Sequence, residues 1–378
     1  MTAVSAPTNT TATPERKTLR TGVIGCGAGA FHAEAYAAEP RADLVSLAGL
    51  DADRCNELAR KYGIGRIYRD YQELLADPDI DAVSLALPNH LHMPVAIAAL
   101  EAGKHVLVEK PLALNAQEGQ LMVDAAERAG KVLAIAFNRR FRQDVQLVQR
   151  HVASGQFGNV YYAKAFWMRR SGIPGFGTWF SSKSMAGGGS LIDLGVHVLD
   201  MALFMMGNPK VMSVSAQTFS EIGRQGKGAW QGGRFQTGEV PFEVDDMAVA
   251  FIRLENGTVL HLETSWAAYT GAKDNFGVSL MGTDGGAEID VHDYALVDTL
   301  KIISDFEGVP TVSHPRLIAT SGHGEIVKRF VAKILDGTDG VPTGQEGLER
   351  ARLVDAIYRA SAEGWEVQVE SASAATSD

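Results

Sequence analysis

Apolar residues in the first 140 or so positions fall into short continuous runs of strand length, separated by segments of helical composition. The runs occupy residues 22–24, 43–50, 82–88, 105–108 and 132–137. Continuous apolar runs are typical of parallel strands buried on both faces, because helices cover each side of such a sheet. The alternation of strands and helices therefore predicts an α/β domain with a doubly wound parallel sheet.

The pattern changes near Arg142, after which apolar and polar residues partly alternate, as in a sheet with one covered face. The strands expected there are 160–168, 247–254, 258–266, 278–281 and 287–289. Glu255-Asn256-Gly257 separates two of them and indicates a hairpin. We therefore expect a second α/β domain with a large, mostly antiparallel open sheet. The predicted divisions are a disordered tail at 1–18, a first domain at 19–141, a second domain at 142–369 and a disordered tail at 370–378.

The composition limits the class of protein and its partners. A chain of 378 residues with 46% hydrophobic and 21% charged residues is typical of a soluble two-domain globular protein. A net charge of -10 gives no basic surface for nucleic acid or a membrane, and no apolar run looks long enough to span a bilayer. Cys26 and Cys55, the only cysteines, exclude a disulfide framework and a cysteine-rich zinc module. Without a secretory signal, the chain is predicted to be cytoplasmic.

The loop GCGAGA at residues 25–30 joins the first predicted strand to a helix-forming segment. This GxGxxA arrangement predicts a dinucleotide site. Gly25 permits a tight turn, Gly27 lets backbone amides approach a pyrophosphate, and Ala30 lets the helix pack closely on the strand. Ala28 and Gly29 complete the loop, so the phosphates would bind at the positive end of the helix.

The end of the second strand leaves the choice of cofactor open. In such folds an acid at this position binds the ribose hydroxyls of NAD. Here the strand ends in Gly49, Leu50 and Asp51, so the acid is either displaced to Asp51 or absent. Arg54 could meet the 2′-phosphate of NADP, but a solvated arginine in the first turn of a helix is an equally good interpretation.

Polar residues also follow two later strands, at the carboxyl edge where open parallel sheets bind ligands. They are Asn89, His90 and His92 after one strand, and Glu109 and Lys110 after the next. His90 and His92 have no acid or cysteine close by, so we interpret them as a polar lip beside the cofactor and predict no metal site. Pro111 keeps Lys110 out of the helical region. Lys110 is thus either a ligand-binding residue or a surface lysine lying over the sheet.

A second candidate site follows the three glycines at 187–189, where residues 190–207 have apolar positions at helical spacing. Asp193 and His197 stand four residues apart, on one face of the predicted helix. Such a pair can share the work of a proton transfer: His197 takes the proton, and Asp193 orients the imidazole or the substrate. Asp200 is an alternative orienting acid, and a satisfied structural pair is the other interpretation.

Together these residues resemble the Gfo/Idh/MocA oxidoreductases, named for glucose-fructose oxidoreductase and inositol dehydrogenase. Four motifs in order carry the resemblance: GCGAGA followed by His32, LPNHLH at 87–92, AGKHVLVEKP at 102–111 and GGGSLIDLGVH at 187–197. The resemblance implies an NAD(P)-binding Rossmann domain followed by a substrate-binding α/β domain. The open sheet of that domain often forms the subunit interface, which implies a homo-oligomer, a dimer or tetramer. Many relatives have an acid where this chain has Gly49.

The resemblance further implies a nicotinamide-dependent dehydrogenase acting on a ring hydroxyl of a sugar, glycoside or cyclitol. Lys110 would hydrogen-bond the reacting oxygen, and Asp193 and His197 would contact the substrate and move the proton. The residues expected to bind NAD or NADP are Gly25, Gly27, Ala28, Gly29, Ala30, Asp51, Arg54, Leu87, Asn89, His92, Glu109 and Lys110. Weaker candidates for sugar contacts are Asn138, Arg169, Arg170 and Trp179.

Two other functions fit the same motifs. In some relatives a tightly held NAD oxidises the sugar transiently, so that a glycosidic bond is cleaved without net reduction of the cofactor. The second alternative is a non-catalytic sensor or partner subunit that binds NAD(P). The joint presence of Lys110, Asp193 and His197 argues against a sensor, which has no use for a proton-transfer set.

Overall fold

A computed structural model describes residues 18–230, 241–271 and 273–369. The two predicted tails lie outside these residues, apart from Thr18. Within the described part, the strands form one sheet of six and one of nine strands.

The first sheet is built from the apolar runs of the first domain. Its strands are β1 (Leu19–Ile24), β2 (Ala42–Ala48), β3 (Arg66–Tyr68), β4 (Ala82–Leu85), β5 (His105–Val108) and β6 (Leu133–Ile135). All pairs are parallel, in the order β3-β2-β1-β4-β5-β6. Every residue of β4 and β6 is buried, as expected for strands covered on both faces. The predicted doubly wound sheet is confirmed, and its strand order is that of a Rossmann domain.

The helices begin and end at residues suited to those positions. They are α1 (Gly29–Ala38), α2 (Ala52–Tyr62), α3 (Tyr71–Ala76), α4 (His92–Glu101), α5 (Ala116–Ala129), α6 (Gln143–Ala153), α7 (Lys183–Ala186), α8 (Val196–Met205), α9 (Gly322–Asp336) and α10 (Gly344–Glu363). The side chains of Asn115 and Thr343 accept hydrogen bonds from the first turns of α5 and α10. Gly63 and Gly130 end α2 and α5 with positive φ angles, which glycine adopts without strain.

The second sheet is mostly antiparallel, as predicted. Its strands are β7 (Val160–Arg169), β8 (Val211–Phe219), β9 (Met247–Leu254), β10 (Val259–Ser265), β11 (Asp274–Gly282), β12 (Gly285–His292), β13 (Leu300–Phe306), β14 (Val309–Ser313) and β15 (Val367–Gln368). Their order is β14-β13-β12-β11-β7-β10-β9-β8-β15. Among the described strands of this sheet, only β7 and β10 pair in parallel, and β9 and β10 form the predicted hairpin around Asn256.

Helix α8 lies at the centre of the core beneath this sheet, where nine of its ten residues are buried. The helical segment Lys183–Met205 is long and apolar enough to cross a membrane, with a mean hydropathy of 1.4 in its most apolar window. Our expectation that no run has this length was therefore wrong. Of that window, 89% is buried inside the protein, so packing within the protein's own core accounts for its apolar composition.

Two helices near the end of the chain return to the first sheet, which the sequence analysis did not predict. Helix α9 packs on α1, and its buried residues Ile326, Val327 and Phe330 share a core with Tyr36. Helix α10 contacts both α5 and β8. The two sheets are thus held together by α10, with the carboxyl edge of the first sheet beside α8.

Cys26 and Cys55 form a disulfide, a pairing that the sequence analysis did not predict. Cys26 belongs to the glycine-rich loop and Cys55 to α2, and both side chains are buried. A Cβ atom at Gly49 would lie 2.9 Å from Sγ of Cys55 and 3.2 Å from Sγ of Cys26. The two sulfur atoms therefore occupy the space where an acidic side chain at position 49 would begin.

Candidate active site

The glycine-rich loop has the geometry of a phosphate site. Gly25 has a φ angle of 97°, and a Cβ atom there would lie 2.2 Å from the carbonyl oxygen of Ala86. Gly27 is exposed, with no described atom beyond its two chain neighbours within 4 Å of its Cβ position, and no side chain caps α1 at Ala28. The open space and the uncapped helix N-terminus fit a pyrophosphate.

The close contact between helix and strand is made at Gly29, whereas we predicted it at Ala30. A Cβ atom at Gly29 would lie 2.7 Å from Cγ1 of Val23, while Ala30 is only partly buried. The reason is that Gly29 is the first residue of α1 and faces β1 directly.

Asp51 and Arg54 both lie exposed at the start of α2, beyond the end of β2. The carboxylate of Asp51 accepts a hydrogen bond from the backbone N–H of Arg54 at 3.1 Å and so caps α2. The second oxygen of Asp51 and the guanidinium of Arg54 form no ion pair with a described residue. Both side chains therefore remain exposed to solvent at this edge of the first sheet.

Leu87, Asn89 and His92 connect the loops at the carboxyl edge of the first sheet. The ring nitrogens of His92 lie 2.8 Å and 2.9 Å from the carbonyl oxygens of Pro111 and Leu87. Asn89 donates a hydrogen bond to the carbonyl of Ala186 at 2.8 Å. His92 thus connects the loop at 87–92 to the loop at 109–111, and Asn89 connects the same loop to α7.

Glu109 lies at the centre of a hydrogen-bonded cluster with two histidines. Its Oε1 is 2.9 Å from Nε2 of His32 and 3.2 Å from Nε2 of His323, and its Oε2 accepts from the backbone N–H of Lys110. Burial alone would raise the pKa of Glu109, but the hydrogen bonds to His32 and His323 outweigh it and hold that pKa well below its usual range. The potential metal-ligand atoms of these three residues lie within 4.8 Å of one another. The direct hydrogen bonds account for this closeness, and the lack of a metal remains a prediction.

Lys110 and Asp193 meet across the two domains. Nζ of Lys110 donates to Oδ1 of Asp193 at 2.8 Å and to its backbone carbonyl at 3.1 Å. The other carboxylate oxygen accepts a hydrogen bond from Nε1 of Trp266 at 2.9 Å. Burial would raise the pKa of Asp193, but the charges of Lys110 and Arg169 outweigh it and lower that pKa to about 2. Asp193 is therefore an ionised carboxylate held beside an ammonium group.

His197 lies next to this pair, but its ring makes no hydrogen bond to Asp193 among the described residues. Its side chain is buried, and Nδ1 has no partner. Burial, followed by the positive charges of Lys110 and Arg139, holds the pKa of His197 well below its usual value. The imidazole is therefore neutral at neutral pH and able to accept a proton.

The spacing argument for Asp193 and His197 needs two corrections. Asp193 belongs to a π-helical turn, Leu191–Gly195, and only His197 lies in α8. Asp200, the alternative orienting acid, instead binds two buried arginines, with Arg140 at 2.6 Å and 2.7 Å and Arg350 at 3.3 Å. This carboxylate therefore holds buried cations and does not orient the imidazole.

The sugar-contact candidates divide into two groups. Arg169 forms an ion pair with Asp274 at 2.9 Å, and its guanidinium carbon lies 5.5 Å from the ring centroid of Trp167. The same Trp167 ring lies 5.6 Å from the His197 ring. Asn138 lies beside His323, with Oδ1 buried and without a partner. Arg169 therefore lies near His197, whereas Asn138 lies beside the cluster of His323 and Glu109.

The other two candidates have partners elsewhere. Trp179 stacks on Phe180 with ring centroids 3.8 Å apart, and Arg170 lies over the ring of Tyr269. Neither makes a hydrogen bond or ring contact with Lys110, Asp193 or His197 in the described part of the chain.

The region around Glu109, Lys110, Asp193 and His197 is called the cleft below. Sequence reasoning missed several of its residues, of which Arg139, Trp266, Tyr294 and His323 are the most prominent. Arg139 follows β6 at the carboxyl edge, so the rule that identified Lys110 applies to it as well. The other three come from distant strands, loops or α9, and no local pattern marks them.

Comparisons with known proteins agree with this geometry. A model of the oxidoreductase family with an NAD-binding Rossmann fold matches residues 19–137, and a model of the GFO/IDH/MocA C-terminal domain matches residues 145–288. D-glucoside 3-dehydrogenase of Escherichia coli K12 is 33% identical over 354 residues, covering 93% of this chain and 97% of that protein.

Levoglucosan dehydrogenase of Pseudarthrobacter phenanthrenivorans is 31% identical over 383 residues, covering 92% of this chain and 97% of that protein. A solved structure of levoglucosan dehydrogenase in complex with NADH and L-sorbose has a TM-score of 0.82 and 28% identity, covering 94% of this chain and 99% of that one. The chain therefore belongs to the Gfo/Idh/MocA family of oxidoreductases and carries its NAD-binding Rossmann domain.

Proposed function

We propose that this protein is an NAD(P)-dependent dehydrogenase that oxidises a ring hydroxyl of a sugar, glycoside or cyclitol, or reduces the corresponding ketone. The observation that carries the proposal is the Lys110–Asp193 contact of 2.8 Å beside the neutral imidazole of His197. The names of the relatives, D-glucoside 3-dehydrogenase and levoglucosan dehydrogenase, support this substrate class.

Each of the three residues has a distinct role in the proposed reaction. His197 accepts the hydroxyl proton at Nε2, because Nδ1 is buried without a partner. The ammonium group of Lys110 stabilises the negative charge that develops on the substrate oxygen. Asp193 holds Lys110 in place and offers its carboxylate to a neighbouring hydroxyl. The carbon then loses a hydride and becomes a ketone.

The residues of the first domain fit a nicotinamide dinucleotide. The loop at Gly25 and Gly27 offers backbone amides and open space to a pyrophosphate. When bound, the nicotinamide supplies the hydride acceptor, which no protein side chain provides. The protein supplies position, proton transfer and the charge of Lys110.

A panel of glycosides, free sugars and inositols, each with NAD and with NADP, tests the proposal. The expected result is reduced cofactor with one class of these polyols. Cofactor binding without reduction on any of them would contradict the proposal. It would instead favour the sensor or the transient internal redox reaction.

The pH profile of kcat/KM for sugar oxidation should have its acid limb below pH 6.5, the ordinary pKa of histidine. Burial, Lys110 and Arg139 lower the pKa of His197, whereas Asp193 and Glu109 oppose them without prevailing. Because the base must be unprotonated, a lower pKa keeps it active to lower pH. His197→Gln should be slower and lose this limb. An acid limb at or above pH 6.5 in the wild type would contradict the assignment.

Asp51→Asn should raise the Kd for NAD about 10-fold, as expected for loss of a charged hydrogen bond to the ribose. Asn caps helices as well as Asp does, so the stability of α2 should not change. Asp51→Ala is the comparison, because it removes both the ribose contact and the cap. Equal NAD affinity in the wild type and Asp51→Asn would show that Asp51 does not bind the ribose.

We further propose that the protein is a homo-oligomer in the cytoplasm. Its subunits pair through the outer face of the second sheet, which is the face opposite α8. Phe251, Met281 and Ile303 project from this face and are 38%, 44% and 38% exposed. Large apolar side chains on an open sheet are typical of a subunit interface. Light scattering should show a dimer or tetramer for the wild type. The double variant Phe251→Glu, Met281→Glu should be monomeric in the same measurement. Leu121→Glu on α5, also exposed, should leave the oligomer intact; dissociation by this control alone would contradict the location of the interface.

A further inference from the structure

Arg139 is enclosed by aromatic rings on one side of the cleft. It lies in the turn Asn138–Phe141, directly after the last strand of the first sheet. Its guanidinium carbon is 5.4 Å, 5.1 Å and 5.3 Å from the ring centroids of Trp167, Phe276 and Tyr294. Cation–π contacts with these rings hold the guanidinium in place without neutralising its charge.

The other cations of the cleft are neutralised by carboxylates. Lys110 pairs with Asp193 at 2.8 Å, Arg169 with Asp274 at 2.9 Å, and Arg142 with Asp144 at 2.7 Å. Arg139, in contrast, forms no ion pair with any residue of the described ranges. Its Nε is buried without a hydrogen-bond partner, although part of the side chain remains accessible.

This unpaired cation lies next to the reaction centre. The ring of Trp167 contacts both the guanidinium of Arg139 and the imidazole of His197. Burial, followed by the positive charge of Arg142, lowers the pKa of Arg139 to about 10, so the guanidinium is still charged at neutral pH. A largely desolvated charge without a partner is costly, and a ligand of opposite charge would offset that cost.

We propose that Arg139 binds a carboxylate on the substrate, so that the preferred sugar is a uronic acid or its glycoside. This inference rests on the proposed function and narrows its substrate class. A carboxylate matches the planar fork of a guanidinium with two parallel hydrogen bonds. A carboxylate carries one negative charge and so balances the one unpaired positive charge of Arg139. A phosphate dianion carries two and would leave one negative charge without a partner.

A matched pair of substrates tests the proposal on the wild-type protein. Methyl β-D-glucuronide and the corresponding uronamide have nearly the same shape and differ in the charge of one substituent. The expected kcat/KM is about 10-fold to 100-fold higher for the carboxylate, the range for hydrogen bonds to a charged group. Equal or better turnover of the uronamide or of methyl β-D-glucoside would overturn the Arg139 proposal while leaving the dehydrogenase proposal standing.

Isothermal titration of each sugar into the NADH-loaded protein gives a second readout that does not depend on turnover. Tighter binding of the carboxylate is expected, and equal binding would overturn the proposal. If neither sugar is oxidised although the carboxylate binds more tightly, the carboxylate site stands, and the panel of polyols decides the dehydrogenase proposal separately.

Variants of Arg139 test whether this side chain causes the preference for the carboxylate substrate. In Arg139→Met the ratio of affinities for carboxylate and amide should fall to about one, whereas Arg139→Lys should retain part of it because the charge remains. An unchanged ratio in Arg139→Met would overturn the assignment. If Arg139→Met does not fold, the wild-type comparison and Arg139→Lys still decide.

Discussion

Lys110→Met is expected to lower kcat for sugar oxidation by about 100-fold or more, while the Kd for NAD(P) stays nearly unchanged. The ammonium group lies 2.8 Å from Asp193 and is 17% exposed, so its charge acts in a mostly water-excluded site. Its loss removes the stabilisation of the developing alkoxide and leaves Asp193 without its cation. Steady-state kinetics and cofactor titration measure the two effects separately.

Lys333→Met is the matched control for this variant. Lys333 is 32% exposed in the last turn of α9, away from the proposed subunit interface, and pairs with Asp339 at 2.7 Å. The same substitution there should leave kcat unchanged. Full activity of Lys110→Met, or an equal loss in both variants, would remove Lys110 from the proposed mechanism.

Asp200→Ala is expected to lower the free energy of unfolding by about 3 to 5 kcal/mol, the range for breaking a buried ion pair. Asp200 is 1% exposed and binds Arg140 and Arg350, whose side chains are each 4% exposed. Without this carboxylate, Arg140 keeps its ion pair with Glu346, and buried Arg350 keeps only the 3.9 Å contact with the half-exposed Glu349 among the described residues. The loss should be visible in denaturant titrations.

The control for this prediction is an exposed ion pair. Asp79 lies 2.8 Å from Arg20, with side chains 56% and 41% exposed, so Asp79→Ala should cost no more than about 1 kcal/mol. Asp200→Asn should also keep the acid limb of kcat/KM in place, because the Asp200 carboxylate bonds to Arg140 and Arg350 and makes no hydrogen bond to His197 among the described residues. Wild-type stability of Asp200→Ala, or a shifted limb in Asp200→Asn, would revive Asp200 as the orienting acid.

The first sheet could be predicted because the residues that specify each of its strands are adjacent in the sequence. Each parallel strand is an apolar run of a few residues, and the GCGAGA loop has a steric requirement at Gly25 that the sequence displays directly. Lys110 could be identified by the same reasoning, since it follows a buried strand. Family resemblance then linked it to Asp193 and His197.

The remaining features depend on contacts between distant parts of the chain. His323 reaches Glu109 from α9, more than 200 residues later in the sequence. The π-helical turn around Asp193 has no simple sequence signature, so helical spacing predicted the wrong partner for its carboxylate. Gly49 was interpreted as a missing acid, whereas its neighbours show that two cysteine sulfur atoms fill that space.

Transfer of deuterium is the measurement that bears most directly on the proposed reaction. A sugar or glycoside that the wild type oxidises is labelled with deuterium at the ring carbon, and the products are analysed after several turnovers with NAD(P). If Lys110, Asp193 and His197 serve a dehydrogenase, each keto-sugar formed should be matched by one reduced cofactor carrying the deuterium. Cleavage of the glycoside with no net reduced cofactor would contradict that function and establish transient internal redox chemistry in its place.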